Sequence, residues 1–416
     1  MSFTLRAVRA YVRIWGALGA SVRQGNSPER GRALLGIKRL SLVTQLIDSG
    51  YFDELREHIA HNYMIADFYR DRYEAAGEEL YDNKSRAVDN CAKWWDIEHY
   101  AGLNVKDIKR VNLCRDKFCF NCQSMLAAKR FSKYAPILDS FTDRYKIVHV
   151  VFTVPNCEGE ELEPLLDKMY LKFRFLMRYF KGQAKVSGVN FLKYGYGGAV
   201  RGLEVTYNKT TAQYHPHFHC MVLLSPKIDL RGKHMNAYSF DHNDPSQKHK
   251  FSDFEILLQK LWFLLLNDCK VTADNLERFK IGYDVQASDP HGDYHEVFKY
   301  ACKGAFKESE GACIYQERVF WTLYEALHGR RMIQGYGKLH NFKDLDGEIL
   351  EEDAAVIYAA YVAHLREIEQ PLFKVESLDE VCERSKSGCK YISKSNLRRV
   401  LAERRREERA EQGGKP

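Results

Sequence analysis

The chain has 416 residues, of which 45% are hydrophobic, and its 63 basic and 56 acidic side chains leave a formal net charge of +7. This length is ample for one large core and suggests two or three structural units, whereas the basic excess is only weak support for a nucleic-acid partner. No stretch approaches the roughly 18 apolar residues that a membrane span needs, so no membrane partner is expected.

The N-terminal segment is interrupted by arginines, among them Arg6, Arg9 and Arg13, and lacks the apolar core of a secretion signal. The chain has eleven cysteines. Without a secretion signal they indicate a reducing, cytoplasmic location, where clustered cysteines bind metal more often than they form disulfides.

Residues 1–88 are predicted to form a helical N-terminal region, because apolar positions recur every three or four residues around 34–47 and 55–69. A cysteine-rich module follows over 89–135. Residues 306–416 are predicted to form a mixed and helical C-terminal region with a basic charged tail. That tail is either a solvated helix or an arm that contacts phosphates.

The cysteine-rich module contains Cys114, Cys119 and Cys122 within nine residues. Three thiolates at this spacing, in a chain without secretory features, are typical of a structural Zn²⁺ site. The preferred fourth ligand is Cys91, which gives a four-cysteine site, and His99 is the alternative. The competing interpretation is a loop with three free cysteines.

Residues 145–305 alternate between strand and helix patterns. Strands are predicted at 146–156, on both sides of the NKTTAQ turn within 198–224, and at 281–288, with helices at 160–182, 251–268 and 294–303. The resulting order, β-α-β-β-α-β, predicts an α+β fold with a ferredoxin-like four-stranded antiparallel sheet and helices on one face. The Gly-rich stretch 192–202 either stacks bases or approaches a nucleic-acid backbone, or it is core packing or a loop.

Paired histidines stand out in the second strand of the predicted hairpin. His217 and His219 are two residues apart, so both side chains point to one face, and His215 has the same parity. If the turn centres between Thr210 and Thr211, Glu204 lies opposite His217. Two imidazoles and a carboxylate suit Mg²⁺ or Mn²⁺ acting on a phosphate. The alternative is a polar sheet face that carries histidines by chance.

A third group of residues lies on the last predicted helix of the core. Glu296, Tyr300 and Lys303 share one helix face at this spacing. A tyrosine needs a polarised target or a nearby cation to act as a nucleophile, and Lys303 could be that cation, with Glu296 as a general base. An ordinary surface helix would give the same pattern.

Together, these motifs in this order resemble the replication initiator (Rep) family of rolling-circle plasmids, a branch of the HUH endonucleases. The resemblance covers roughly residues 90–340. It rests on the cysteine cluster, FTVPN at 152–156, EVT at 204–206, HPHFH at 215–219, the Glu-x3-Tyr-x2-Lys pattern, and ALHGRR at 326–331 before Gly335–Gly337. The chain departs from the family at Phe120, where a proline often follows the second clustered cysteine, and in its long N-terminal helical region.

The resemblance implies a ferredoxin-like nicking and joining core. In it, His217 and His219 hold the divalent metal, Tyr300 is the nucleophile that forms a 5′-phosphotyrosine link, and Glu296 activates a water when replication terminates. The implied partners are plasmid origin DNA, unpaired or extruded at the nick site, and the host helicase and DNA polymerase. The alternatives are an HUH relaxase or transposase, against which the single candidate tyrosine and the cysteine cluster argue, and a non-catalytic, zinc-stabilised DNA-binding regulator.

Overall fold

The computed structural model describes residues 49–235, 250–278, 283–298, 316–340, 345–397 and 400–401. Its fold is α+β, as predicted. The chain divides into two compact units: Ile137–Lys343 is one, and the parts before and after it together form the other. The division into four consecutive segments, 1–88, 89–135, 145–305 and 306–416, stays a prediction from the sequence. Strands near the C terminus pair with strands in the cysteine-rich region, which periodicity does not reveal.

The described helices and strands are numbered here in chain order. The helices are α1 (Ser49–Ala76), α2 (Glu79–Asp89), α3 (Phe120–Asp139), α4 (Gly159–Phe180), α5 (Asp253–Leu266), α6 (Ala273–Arg278), α7 (His295–Phe298), α8 (Glu317–Ala326), α9 (Leu345–Ile368) and α10 (Leu378–Lys386). The strands are β1 (Trp94–Tyr100), β2 (Val105–Val111), β3 (Lys146–Thr153), β4 (Gly198–Asn208), β5 (Gln213–Leu224), β6 (His234–Met235), β7 (Lys250–Phe251), β8 (Val285–Ser288), β9 (Ile333–Gly337), β10 (Leu372–Ser377) and β11 (Lys390–Ile392).

The unit that contains the cysteine-rich region is built on a four-stranded sheet in the order β10-β1-β2-β11. Strand β1 is antiparallel to both its neighbours, whereas β11 is parallel to β2. On one face of the sheet, Tyr100 lies in a buried cluster with Tyr361 of α9. On the other face, Trp95 packs against Phe52 of α1. This sheet was not predicted from the sequence, since its strands carry many charges and two of them lie more than 250 residues further along the chain.

The central unit contains a five-stranded antiparallel sheet in the order β8-β3-β5-β4-β9. The four predicted strands are present, but the predicted number of strands was wrong, because β9 adds a fifth at the edge of β4. Strand β9 has the sequence IQGYG, which shows no alternation of apolar and polar residues. Its closeness to β4 requires glycine: a Cβ at Gly198 would lie 2.7 Å from the Tyr336 carbonyl oxygen.

One face of this sheet is covered by helices, and this fixes which side chains remain on the other face. Helix α4 buries an apolar stripe, in which Phe173 contacts Phe152 of β3 and Phe218 of β5 with ring centroids 5.4 Å apart in each case. Trp262 of α5 also packs against Phe152. Since neighbours along a strand alternate in direction, Phe218 in the core leaves His217 and His219 on the opposite face.

Part of the Gly-rich stretch 192–202 packs in the core, although Leu192 and Lys193 are exposed. Tyr194 is buried, and the fully buried Arg201 guanidinium lies 4.0 Å from the Tyr170 ring centroid and 4.4 Å from that of Phe218. Cation–π contacts of this kind favour the packing interpretation of the stretch over base stacking.

Two predictions fall partly outside the described residues. The helix predicted at 294–303 is described only as α7, and most of the charged tail is outside the described part of the chain. Within the described residues, no helix combines the length and the apolar character needed to cross a membrane.

Candidate metal centres

The hairpin of β4 and β5 holds the first candidate centre. Its turn is shaped by Asn208, whose side-chain oxygen accepts hydrogen bonds from the backbone N–H groups of Thr210 and Thr211 at 2.8 and 3.2 Å. The strands then pair with Glu204 directly opposite His217, the register that the sequence predicted. This register matters because a slip of one residue would turn Glu204 to the core.

Three side chains meet on the face of the sheet opposite α4 and α5. One oxygen of Glu204, Oε2, lies 2.9 Å from His219 Nε2 and 3.3 Å from His217 Nε2. Glu204 and His219 are buried, with 4% and 9% of their surfaces exposed, and His217 is half-buried. The carboxylate and the two imidazoles predicted as ligands thus converge within 4.8 Å of one another. Two nitrogens and an oxygen at this spacing can bind one divalent cation and leave coordination positions for a substrate.

The charge state of Glu204 suits such an ion. Burial would raise the pKa of its carboxyl, but the hydrogen bonds from His217 and His219 hold that pKa well below its ordinary value. The carboxylate is therefore ionised, which is the form that binds a cation.

His215, which shares the parity of the two ligands, is not part of this group. Its Nδ1 lies 2.8 Å from the side-chain oxygen of Asn156, and burial lowers its pKa. The sequence left its role open, and the structure places it beside the cluster rather than in it.

The sequence analysis missed His149, which lies on the same face in β3. Its Nε2 is 3.1 Å from Nδ1 of His219, and the two rings are nearly parallel, with an interplanar angle of 11°. Strand parity alone could have placed His149 on this face, since Phe152 is in the core. The closeness to His219 depends on the pairing of β3 with β5, which the sequence does not show.

Helix α7, which carries Glu296, lies against the sheet face that carries Glu204, His217 and His219. Gly202 pairs with His219, and a Cβ at Gly202 would overlap the carbonyl oxygen of Val297. The absence of a side chain at Gly202 therefore allows α7 to approach the strand next to the cluster. Glu296 is half-buried in this helix. Tyr300 and Lys303, the predicted nucleophile and cation, lie outside the described residues.

The second candidate centre consists of four cysteines in the other unit. Sγ of Cys122 lies 3.5 Å from that of Cys91 and 3.6 Å from that of Cys114, and Cys119 completes the group. A disulfide would require about 2.05 Å. Tetrahedral zinc with Zn–S distances of about 2.3 Å places its sulfurs about 3.8 Å apart. The observed spacing fits four thiolates around one ion.

Backbone and side-chain N–H groups surround these sulfurs. Arg115 donates its backbone N–H to Cys122 Sγ at 3.1 Å, and the Asn62 amide donates to Cys119 Sγ at 3.3 Å. The hydrogen bonds from the other three thiols lower the pKa of Cys122. Donors of this kind stabilise the negative charge that a metal-binding thiolate set carries.

His99, the alternative fourth ligand, is not in the cysteine group. It lies on β1 opposite Lys106, and burial lowers its pKa. Cys91 is buried next to the other three, so it is the residue that completes the set. The interpretation as three free cysteines in a loop does not describe this arrangement.

Comparison with known proteins shows that the hairpin centre lies in a segment that matches a known family. A family model described as "Replication protein" matches residues 105–231. Residues 105–231 carry a Rep-family replication domain. The resemblance predicted from the motifs is thereby confirmed for a segment that contains Glu204, His217 and His219 and ends before Glu296.

Individual relatives support the same family. A protein of Bacillus amyloliquefaciens named "Protein rep" is 26% identical over 172 residues, which cover 41% of this chain and 47% of the relative. The protein of that name in Staphylococcus aureus is 26% identical over 146 residues, or 35% and 59%. The one in Streptococcus pneumoniae is 27% identical over 114 residues, or 27% and 32%. The chain spans about half the length of the relatives it matches, and no solved structure matches it.

Proposed function

We propose that this chain initiates rolling-circle replication of a plasmid by nicking and rejoining one DNA strand at the origin. The observation that carries the proposal is the convergence of Glu204, His217 and His219 on one sheet face inside the Rep-family segment. The strand order β8-β3-β5-β4 is the order of a ferredoxin-like core, and it supports an HUH endonuclease fold extended by β9.

The residues of the cluster fit a divalent cation such as Mg²⁺ or Mn²⁺. A cation held by His217, His219 and Glu204 would polarise the scissile phosphate and offset its growing negative charge. Glu204 and the histidines lie on paired strands, so the cluster is held by the sheet and needs little rearrangement to bind the ion.

The proposed nucleophile is Tyr300, which follows α7 in the chain. Its phenolic oxygen releases its proton to solvent and attacks phosphorus, the bond from phosphorus to the 3′ oxygen breaks, and that oxygen takes a proton from solvent to become a free 3′-OH. The products are a 5′-phosphotyrosine link and an end that a host polymerase can extend. Lys303 is proposed to favour the phenolate. Glu296 is proposed to deprotonate a water that cuts the regenerated site at termination.

The target must be unpaired, because bases stacked in a duplex are not accessible to such a site without an energetic cost. Plasmid origin DNA, single-stranded or extruded as a hairpin, is therefore the proposed partner, with a host helicase and polymerase acting afterwards. The four cysteines are proposed to bind a structural Zn²⁺ that stabilises their unit. A cytoplasmic location remains a prediction from the sequence.

The test is formation of a covalent protein–DNA adduct on denaturing gels, with Mn²⁺ and a single-stranded oligonucleotide that carries the nick site. The wild-type chain is expected to form the adduct and Tyr300→Phe to form none while still binding DNA. Glu296→Ala is expected to form the adduct and to lose the later release of hydrolysed product. An absence of any wild-type adduct would instead favour a zinc-stabilised DNA-binding regulator.

A further inference from the structure

We infer that His149 is a positioning residue for the metal ligand His219, and this inference rests on the proposed function. His149 lies on β3 and reaches His219 across the β3–β5 pairing. The distance from His149 Nε2 to His219 Nδ1 is 3.1 Å, and the nearly parallel rings place the two nitrogens edge to edge. His219 Nε2, on the other side of its ring, faces Glu204.

The tautomer of His219 decides whether it can bind a cation. A neutral imidazole has one N–H and one nitrogen with a free lone pair. To bind a cation through Nε2, His219 must have its hydrogen on Nδ1, and this Nδ1–H needs an acceptor. His149 Nε2 is at hydrogen-bonding distance to be that acceptor, since it carries a lone pair when its own hydrogen is on Nδ1. The contact thereby fixes both the ring orientation and the tautomer of His219.

The two ligand histidines differ in this support. Nδ1 of His217 lies 3.2 Å from the backbone carbonyl oxygen of His215, so His217 has a main-chain acceptor in its own strand. Nδ1 of His219 lies instead 3.1 Å from Nε2 of the His149 side chain. The orientation of one ligand thus depends on the backbone, which no substitution removes, and that of the other depends on a residue that can be replaced.

The experiment is a titration of metal-free full-length chain with Mn²⁺, in which electron paramagnetic resonance measures free Mn²⁺. His149→Phe keeps an aromatic ring without an acceptor and is expected to weaken binding by about 10–100-fold. His149→Gln restores an acceptor oxygen and should recover most of the affinity. Met221→Leu, at the buried position opposite His149 in β5, is the control for disturbance of the sheet and should bind normally.

The outcomes separate this inference from the proposed function. Normal Mn²⁺ affinity in His149→Phe, or equal losses in the Phe and Gln variants, would overturn the role of His149 while the wild-type chain still binds. A wild-type chain that binds no Mn²⁺ would overturn both. Thermal unfolding without metal verifies that each variant is folded, and His149→Leu replaces His149→Phe if the latter is not.

Discussion

The two candidate metal centres differ in how many coordination positions the protein leaves free for other ligands. The cysteine centre has four protein sulfurs, three of them buried, and N–H donors directed at them. The histidine centre has three candidate protein ligands, one of them half-buried, on a sheet face that α7 approaches. Four protein ligands fill a tetrahedral ion and leave no position for a substrate, whereas three leave positions free. We therefore propose that the cysteine centre serves folding and the histidine centre serves chemistry.

The largest expected effect is at the cysteine centre. Cys119→Ala should remove most bound zinc and destabilise its unit by more than about 4 kcal/mol, because loss of a structural metal removes folding free energy directly. The measurements are zinc content by elemental analysis and the free energy of unfolding in denaturant.

The matched control is Cys382→Ala, which truncates a buried cysteine of the same unit outside the cluster. It should keep one zinc per chain and lose far less stability. A protein that is fully active without zinc, or equal behaviour of the two variants, would contradict a structural zinc at Cys91, Cys114, Cys119 and Cys122.

At the histidine centre, substitutions are expected to remove metal binding and activity but to change stability little. His217→Ala and His219→Ala should each weaken Mn²⁺ binding by more than roughly 100-fold, beyond the loss from a missing supporting hydrogen bond. They should abolish nicking, and Glu204→Ala should behave in the same way. Stability without metal should change by only about 1–2 kcal/mol, since no folding metal is lost. Mn²⁺ titration and thermal unfolding measure the two effects.

His215→Ala serves as the comparison, because His215 has the same parity on the same strand and lies outside the cluster. Its Mn²⁺ affinity should stay close to that of the wild-type chain. Near-normal cleavage by His217→Ala or His219→Ala would refute the assignment of this centre.

Short-range sequence patterns predicted the candidate ligands of both centres. Alternation in a strand and a short turn were enough to place Glu204 beside His217, because a hairpin fixes its own register. The spacing of Cys114, Cys119 and Cys122 indicated a shared site, and Cys91 was preferred for the fourth position. Both inferences depend on residues that are close in the sequence or chemically distinctive.

The pairing of strands that are distant in the chain could not be predicted from the sequence. His149 reaches His219 only through the pairing of β3 with β5, and β9 joins the sheet through glycines whose spacing shows no strand alternation. The sheet of the other unit joins β1 to β10 across more than 250 residues. The free energy of such pairings comes from contacts between distant segments, so a single segment carries little trace of them.

The smallest effect is expected where helix α7 approaches the strand beside the histidine centre. Gly202→Ala should displace the helix, because its Cβ would overlap the Val297 carbonyl oxygen, which is backbone and cannot rotate away. Overpacking of this kind costs about 1–3 kcal/mol of stability. Mn²⁺ affinity should remain, since Glu204 and the histidines are untouched, while a shift of the helix that leads to Tyr300 should lower the rate of adduct formation about tenfold or more.

The control is Gly198→Ala, on the same strand. Its Cβ would press on Tyr336 of β9 instead and should cost comparable stability with a smaller loss of rate. Equal rate losses in the two variants would show that adduct formation responds to the stability of the sheet and not to the position of α7.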